Sequence, residues 1–284
     1  MTDDPKTLVS TDWLAKHLED PDLRVIDGSW YLPAAKRDPK AEYDAAHIPG
    51  ARFFDIDEIA DLRSDLPHMA PPPEKFMSRM RSLGVGDGHQ VVVYDGQGIM
   101  SAPRVWWTFK LMGHQNVAVL DGGFPKWKAG GHPIEDMPPV IKDRHMSTRF
   151  QNHLVRDVTH VSQAAKLARP QILDARARDR FEGSAPEPRE GLRSGHMPTA
   201  RNLPFGDLLN SDRTLKAPGA LKAAFESAGI DLAQPVITTC GSGVTAAVLA
   251  LGLARIGHDS WSLYDGSWAE WGQFETLPIA TGRD

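Results

Sequence analysis

The sequence predicts an α/β protein built from two tandem domains, each a central parallel sheet flanked by helices. Short β-branched runs alternate with helical patterns along the whole chain, and this alternation is typical of parallel sheets. The chain also repeats itself, because similar segments recur in the same order about 145 residues apart. We therefore expect a first domain over residues 1–135, a linker over 136–155 and a second domain over 156–284.

Four pairs of segments carry the repeat. "VLDGGFPKW" matches "LYDGSWAEW", and "RVIDGSW" matches "QILDARA". "HIPGARFFDI" matches "HMPTARNLPF", which makes His47 and His196 equivalent, and we interpret both as structural. "VVVYDGQGIMSA" matches "VITTCGSGVTAA", which places Asp95 opposite Cys240. The preserved order indicates a duplication in which the two copies have diverged at this position.

Strands are predicted to alternate with helices in each half. The first half has a helix over 10–18, strands over 23–28, 90–95 and 116–123, and a helix over 102–113. The second half has helices over 157–168, 218–229 and 244–257, and strands over 171–176, 235–240 and 259–266. Between the halves, a proline-bearing and then polar stretch predicts the linker.

The composition excludes several classes of function. With 41% hydrophobic and 24% charged residues, the 284-residue chain has enough apolar side chains for sizeable cores. A net charge of −5 without a basic run argues against a nucleic-acid partner. No stretch approaches the roughly 20 apolar residues of a membrane span, and the start lacks a secretory apolar region. One cysteine permits no internal disulfide and no cysteine-based metal cage. We expect a cytoplasmic protein without a metal.

The single cysteine, Cys240, lies between a predicted strand and a predicted helix. Gly241 and Gly243 allow the backbone to curl tightly and direct successive N–H groups inward. The positive end of the following helix stabilises a thiolate, which makes the sulfur a nucleophile. A buried, inert cysteine is the alternative. A phosphatase of the C-x5-R type is disfavoured, because Ala246 stands where its arginine would lie.

On these residues, the chain resembles the two-domain rhodanese superfamily. Its loop "CGSGVT" is similar to the C-G-[ST]-G-V-T of members that use 3-mercaptopyruvate, whereas thiosulfate-specific members carry C-R-K-G-V-T. The resemblance implies a sulfurtransferase without a cofactor, in which Cys240 forms a persulfide. The loop residues Gly241, Gly243, Val244 and Thr245 would bind the transferred sulfur. Acceptors would be small thiols, cyanide or a thioredoxin. A thiosulfate sulfurtransferase and a sulfur-relay module without turnover are the alternatives.

The resemblance also implies a substrate site. Arg180 and Arg189 match the arginines of the family segment R-F-x-G-x-x-P-E-P-R, which bind the carboxylate and carbonyl of the substrate. Asp57 and His68 match an aspartate and a histidine that join the loop serine, Ser242, in a hydrogen-bonded chain. From the residues alone, two arginines on a Gly/Pro-rich loop are more typical of a solvated surface.

Overall fold

The computed structural model describes residues 2–282, which form two compact units. The first comprises the described residues up to Leu62, together with Ala70–Gln151 and Leu209–Leu215. The second comprises Arg63–Met69, Asn152–Leu208 and the described residues from Lys216 onward. Each unit contains one parallel five-stranded sheet with helices, so the predicted α/β class is confirmed.

In the first unit the strand order is β1-β5-β4-β2-β3, and every pair is parallel. The strands are β1 Leu8–Val9, β2 Leu23–Asp27, β3 Arg52–Phe53, β4 Gln90–Tyr94 and β5 Val117–Leu120. The helices are α1 Thr11–His17, α2 Pro39–Ala45, α3 Pro73–Ser82, α4 Ala102–Leu111 and α5 Gly123–Ala129, with a 3-10 turn at Pro33–Ala35.

The second unit repeats this order as β6-β10-β9-β7-β8, again with parallel pairs. Its strands are β6 Val155–Arg156, β7 Gln171–Asp174, β8 Arg201–Asn202, β9 Val236–Thr239 and β10 Trp261–Tyr264. Its helices are α6 Val158–Leu167, α7 Arg178–Glu182, α8 Pro218–Ser227, α9 Ala246–Arg255 and α10 Ser267–Trp271, with 3-10 turns at Asn152–Leu154 and Phe205–Leu208. The matching order agrees with the repeat read from the sequence.

The helix that follows the central strand is buried in both units. Every residue of α4 is buried, as is α9 from Ala246 to Leu253. A helix that is enclosed on all sides is typically apolar all round, as the buried part of α9 is. Helix α4 also buries polar side chains, and Lys110 Nζ donates to the Gln115 carbonyl at 2.8 Å. Within residues 2–282 no helix combines the length and the apolar character required to cross a bilayer.

Most of the predicted linker packs with the first unit. Arg149 N–H donates to the Met112 carbonyl at 2.8 Å, and Gln151 N–H donates to the Leu111 carbonyl at 2.7 Å. These bonds satisfy carbonyl groups at the end of α4, which has no intrahelical donors for them. The first unit therefore extends to Gln151, beyond the end predicted at residue 135.

Gly28, at the end of β2, allows α4 to approach closely, because a Cβ there would lie 2.7 Å from Val105 Cγ2. We expect Gly28→Ala to lower the free energy of unfolding of the first unit by about 1–3 kcal/mol through overpacking. Urea denaturation monitored by tryptophan fluorescence measures this loss. Gly88→Ala is the control, since a Cβ at Gly88 meets nothing within 4 Å. Val105→Ala combined with Gly28→Ala should recover part of the loss, and additive losses would contradict a steric cause.

Candidate active site

Cys240 lies at the carboxyl end of β9, a central strand of the second sheet. Loops at this edge of a parallel sheet commonly form ligand sites. The turn that follows reaches α9, which begins at Ala246, and Gly243 adopts a φ of 79° that side-chain-bearing residues rarely adopt. The Cys240 side chain is buried, with 2% of the residue exposed. A free thiol is thus held inside a tight strand-to-helix loop.

The turn after the neighbouring strand β10 forms hydrogen bonds with the backbone of this loop. Trp268 N–H donates to the Cys240 carbonyl and Ala269 N–H donates to the Gly241 carbonyl, both at 2.9 Å. The Ser267 hydroxyl accepts from Cys240 N–H at 3.3 Å. Ser267 has a φ of 50°, a conformation that costs a residue with a side chain of order 1–3 kcal/mol. The loop backbone is therefore fixed by a second, strained turn.

In the first unit, the equivalent loop binds the carboxylate of its own Asp95. Asp95 Oδ1 accepts from Gln97 N–H at 2.8 Å. Asp95 Oδ2 accepts from the N–H groups of Met100, Ser101 and Ala102 at 2.8, 2.9 and 2.9 Å. This strand-to-helix loop thus directs four backbone donors at one buried anion, as helix N-termini favour.

The two loops are held in the same way. Phe124 N–H donates to the Asp95 carbonyl at 3.0 Å, as Trp268 N–H does to that of Cys240. An Asp Oδ atom lies two bonds beyond Cβ, as the outer sulfur of a cysteine persulfide would. The first unit therefore shows that this kind of loop accommodates a negative charge at that distance from the backbone.

Arg180, in α7, lies beside the cysteine loop. A Cβ on Gly241 would be 3.0 Å from Arg180 Nη2, and 21% of the arginine side chain is exposed. The same Nη2 donates to Glu187 Oε2 at 2.5 Å. One predicted substrate-binding residue is thus brought to the loop, together with a carboxylate that the sequence analysis did not single out.

Glu187 connects Arg180 to a buried ion pair. Glu187 Oε1 accepts from Arg176 Nη1 at 2.8 Å, and Arg176 Nη2 donates to Asp174 Oδ2 at 2.7 Å. The Arg176 guanidinium also lies over the Trp268 ring, at 4.2 Å. Burial acts to lower the pKa of Arg176, but Asp174 and Glu187 outweigh it and the pKa is raised. Arg176 therefore stays charged and anchors Glu187.

Arg189 lies near His68, with Nη2 3.4 Å from His68 Nε2. Because a guanidinium only donates, a hydrogen bond between these two atoms has His68 Nε2 as its acceptor. His68 is buried and has a φ of 61°, and its segment 63–69 belongs to the second unit. Asp57 belongs to the first unit, where its carboxylate accepts from Trp30 Nε1 at 3.0 Å. Ser242 is buried in the cysteine loop.

The structure thus forms two sets of predicted residues within the second unit, whereas Asp57 belongs to the first unit. Arg180 lies beside the cysteine loop, and Arg189 lies beside His68. Sequence reasoning missed Glu187, although this residue lies between Arg180 and Arg189 in the sequence, within the segment "PEPR". It also missed Arg176, for which no local pattern gave a signal. Within residues 2–282, no three His, Cys, Asp or Glu side chains are arranged to hold a metal ion.

Asp95→Asn tests whether the loop of the first unit is built for an anion. An amide group would place an NH₂ among backbone N–H donors, so we expect the free energy of unfolding to fall by about 1–3 kcal/mol. Asp38→Asn is the matched control, because Asp38 is an exposed helix cap that accepts from Lys40 and Ala41 N–H groups. Asparagine caps helices about as well as aspartate. Equal stability of the two variants in urea denaturation would contradict the interpretation.

Known proteins share both the sequence and the fold. The rhodanese-like domain family matches residues 10–130 and 158–274. A mitochondrial thiosulfate/3-mercaptopyruvate sulfurtransferase of Arabidopsis thaliana is 43% identical over 96% of this chain and 77% of its own length. The 3-mercaptopyruvate sulfurtransferase of Rattus norvegicus is 40% identical over 94% of this chain and 92% of its own. The crystal structure of SseA from Escherichia coli, described as a 3-mercaptopyruvate sulfotransferase, superposes with a TM-score of 0.85 at 39% identity, covering 93% of this chain and 99% of SseA. This chain belongs to the rhodanese family of two-domain sulfurtransferases.

Proposed function

We propose that the chain transfers sulfur from 3-mercaptopyruvate to a thiol acceptor through a persulfide on Cys240. The observation that carries this proposal is a single buried thiol in a strand-to-helix loop, with the Arg180 guanidinium beside it. The loop supplies the nucleophile, and the arginine supplies a donor pair for a planar carboxylate. The second domain, residues 156–284, would therefore carry the chemistry.

The transfer proceeds in two displacements at sulfur. The Cys240 thiolate attacks the sulfur of mercaptopyruvate, an S–S bond forms, and the C–S bond breaks. The electron pair of that bond passes to carbon as the pyruvate enolate, which takes up the thiol proton of the donor and leaves as pyruvate. An acceptor thiolate then attacks the outer sulfur, carries it away as a persulfide, and restores the Cys240 thiolate.

The loop is suited to hold the outer sulfur. The N–H groups of Gly241, Gly243, Val244 and Thr245 would donate to it as an oxyanion hole donates to oxygen. The four N–H donors around the Asp95 carboxylate support this role by analogy, since they belong to the equivalent loop of the first unit. The hydrogen bonds from α10 would keep these donors in place through both displacements.

The remaining predicted residues would bind the donor and manage its protons. Arg180 and Arg189 would bind the carboxylate and carbonyl of mercaptopyruvate. His68 would orient Arg189 through Nε2 and would handle the proton that moves from the donor thiol to the enolate carbon. Asp57 and Ser242 would have the catalytic roles that the family resemblance implies for them. No cofactor enters this scheme.

Thiosulfate is the second candidate donor, because the name of the Arabidopsis relative includes both substrates. The neutral side chains of Gly241 and Ser242 favour mercaptopyruvate, since a dianion bound at the thiol calls for positive charge in the loop. Small thiols, cyanide or a thioredoxin would accept the sulfur. We place the protein in the cytoplasm, where reducing conditions keep the single thiol free.

Steady-state kinetics with both donors test the proposed function. We expect pyruvate release from 3-mercaptopyruvate with a higher kcat/KM than thiosulfate consumption, and a mass gain of one sulfur on the protein before acceptor is added. Cys240→Ser should abolish both turnover and the mass gain, because an alkoxide does not form at neutral pH. A serine variant that still gains sulfur would show that the nucleophile lies elsewhere. A sulfur-loaded parent without pyruvate turnover would favour a relay module.

Loss of either arginine should weaken use of mercaptopyruvate. A charged hydrogen bond to an anion contributes about 1.5–3 kcal/mol, so Arg180→Ala and Arg189→Ala should each lower kcat/KM by roughly 10- to 150-fold. Arg178→Ala is the control, because this arginine lies on the same helix but is exposed and paired with Asp207. If kcat/KM in both variants fell no more than in the control, the carboxylate of the substrate would bind elsewhere.

A further inference from the structure

Glu187 lies between two guanidinium groups and is almost fully enclosed. Its side chain is 2% exposed, and its two carboxylate oxygens accept from Arg176 and Arg180. Together with Asp174, these residues form a row of alternating charges in which the side-chain exposure is 1%, 1%, 2% and 21% from Asp174 to Arg180. Solvent therefore reaches the row chiefly at Arg180, the end beside Gly241.

We infer that Glu187 positions Arg180 and sets the donor preference of the cysteine loop. This inference rests on the proposed function and assigns a role to a residue for which the sequence gave none. Glu187 binds Arg180 through Nε at 3.4 Å and through Nη2 at 2.5 Å, which holds Nη2 close to Gly241. Nη1 and the second N–H of Nη2 then form the pair of donors that would bind a substrate.

Positioning follows from how Glu187 is itself fixed. Arg176 binds Asp174 through Nε and Nη2, binds Glu187 through Nη1, and packs on Trp268. Because Arg176 anchors the Glu187 carboxylate, the hydrogen bond from Arg180 to that carboxylate holds the Arg180 guanidinium in one position. A planar carboxylate requires this fixed fork for two parallel hydrogen bonds, whereas a tetrahedral dianion responds mainly to net charge.

Donor preference follows from the charge balance of the row. Two carboxylates and two guanidiniums cancel, so the positive charge of Arg180 is offset by a carboxylate in direct contact. A singly charged substrate is bound by directed hydrogen bonds under these conditions. A doubly charged substrate such as thiosulfate gains little binding free energy from this row, because its attraction depends on a net positive charge and the row has none.

Two substitutions separate these effects. Glu187→Gln keeps the shape and removes the charge, so the ratio of kcat/KM for thiosulfate to that for mercaptopyruvate should rise at least about tenfold, or about 1.4 kcal/mol. Glu187→Asp keeps the negative charge but shortens the side chain by one methylene group, which moves the carboxylate away from Arg180. The KM for mercaptopyruvate should then rise at least about fivefold with a smaller change in kcat, since a binding group is misplaced. If Glu187 had only a structural role, the substitutions would instead lower kcat/KM for both donors by the same factor.

Alkylation of Cys240 gives a readout that needs no sulfur donor. The chain has one cysteine, so mass spectrometry follows a single site. We expect Glu187→Gln to raise the rate with anionic iodoacetate relative to neutral iodoacetamide at least about fivefold, because Arg180 is no longer neutralised. Asp207→Asn is the control, since it removes the carboxylate that pairs with exposed Arg178 on the same helix and should leave the ratio unchanged.

The outcomes distinguish this inference from the proposed function. An unchanged alkylation ratio in Glu187→Gln, or an unchanged donor ratio, overturns the role in donor preference. If Glu187→Gln does not fold, Glu187→Asp decides alone, and an unchanged KM for mercaptopyruvate overturns the inference. A parent that releases no pyruvate from mercaptopyruvate, combined with a shifted alkylation ratio, contradicts the proposed donor and leaves the role of Glu187 in place.

Discussion

The backbone hydrogen bonds between two neighbouring strand-to-helix turns determine the shape of the cysteine loop. The carbonyls of Cys240 and Gly241 accept from the first N–H groups of α10, while the Ser267 hydroxyl accepts from Cys240 N–H. These contacts use no atom of the Cys240 side chain. In the proposed reaction, the loop would therefore keep its form while the sulfur changes between thiolate and persulfide.

The same constraint explains how one ancestral domain yielded two different loops. In each unit the residue at the start of the loop has its carbonyl held by the following turn, whether the side chain is that of Asp95 or Cys240. The backbone donors of the first loop are occupied by the Asp95 carboxylate, which makes the loop a closed structural feature. The second loop carries a shorter side chain, whose sulfur lies one bond from Cβ where the Asp95 oxygens lie two.

Buried charge determines where the Arg180 guanidinium lies. The removal of Arg176 from water is costly, and its contacts with Asp174 and Glu187 compensate for that cost. Replacement by apolar residues could give a stable core as well, so stability alone does not account for the row. Its consequence for the site is geometric, because Glu187 extends the row to Arg180 at the loop.

The sequence by itself determined the α/β class and the duplication, and it predicted Cys240 as the nucleophile, because strand and helix periodicity and the glycines around Cys240 are local patterns. It did not reveal the two-residue edge strands such as β1 and β8, which are too short to show alternation. Only the tertiary structure decided that the stretch up to Gln151 packs with the first unit, and that Glu187 joins Arg176 to Arg180. Those features depend on contacts between groups that the folded chain brings together. The spacing of residues along the sequence does not predict such contacts.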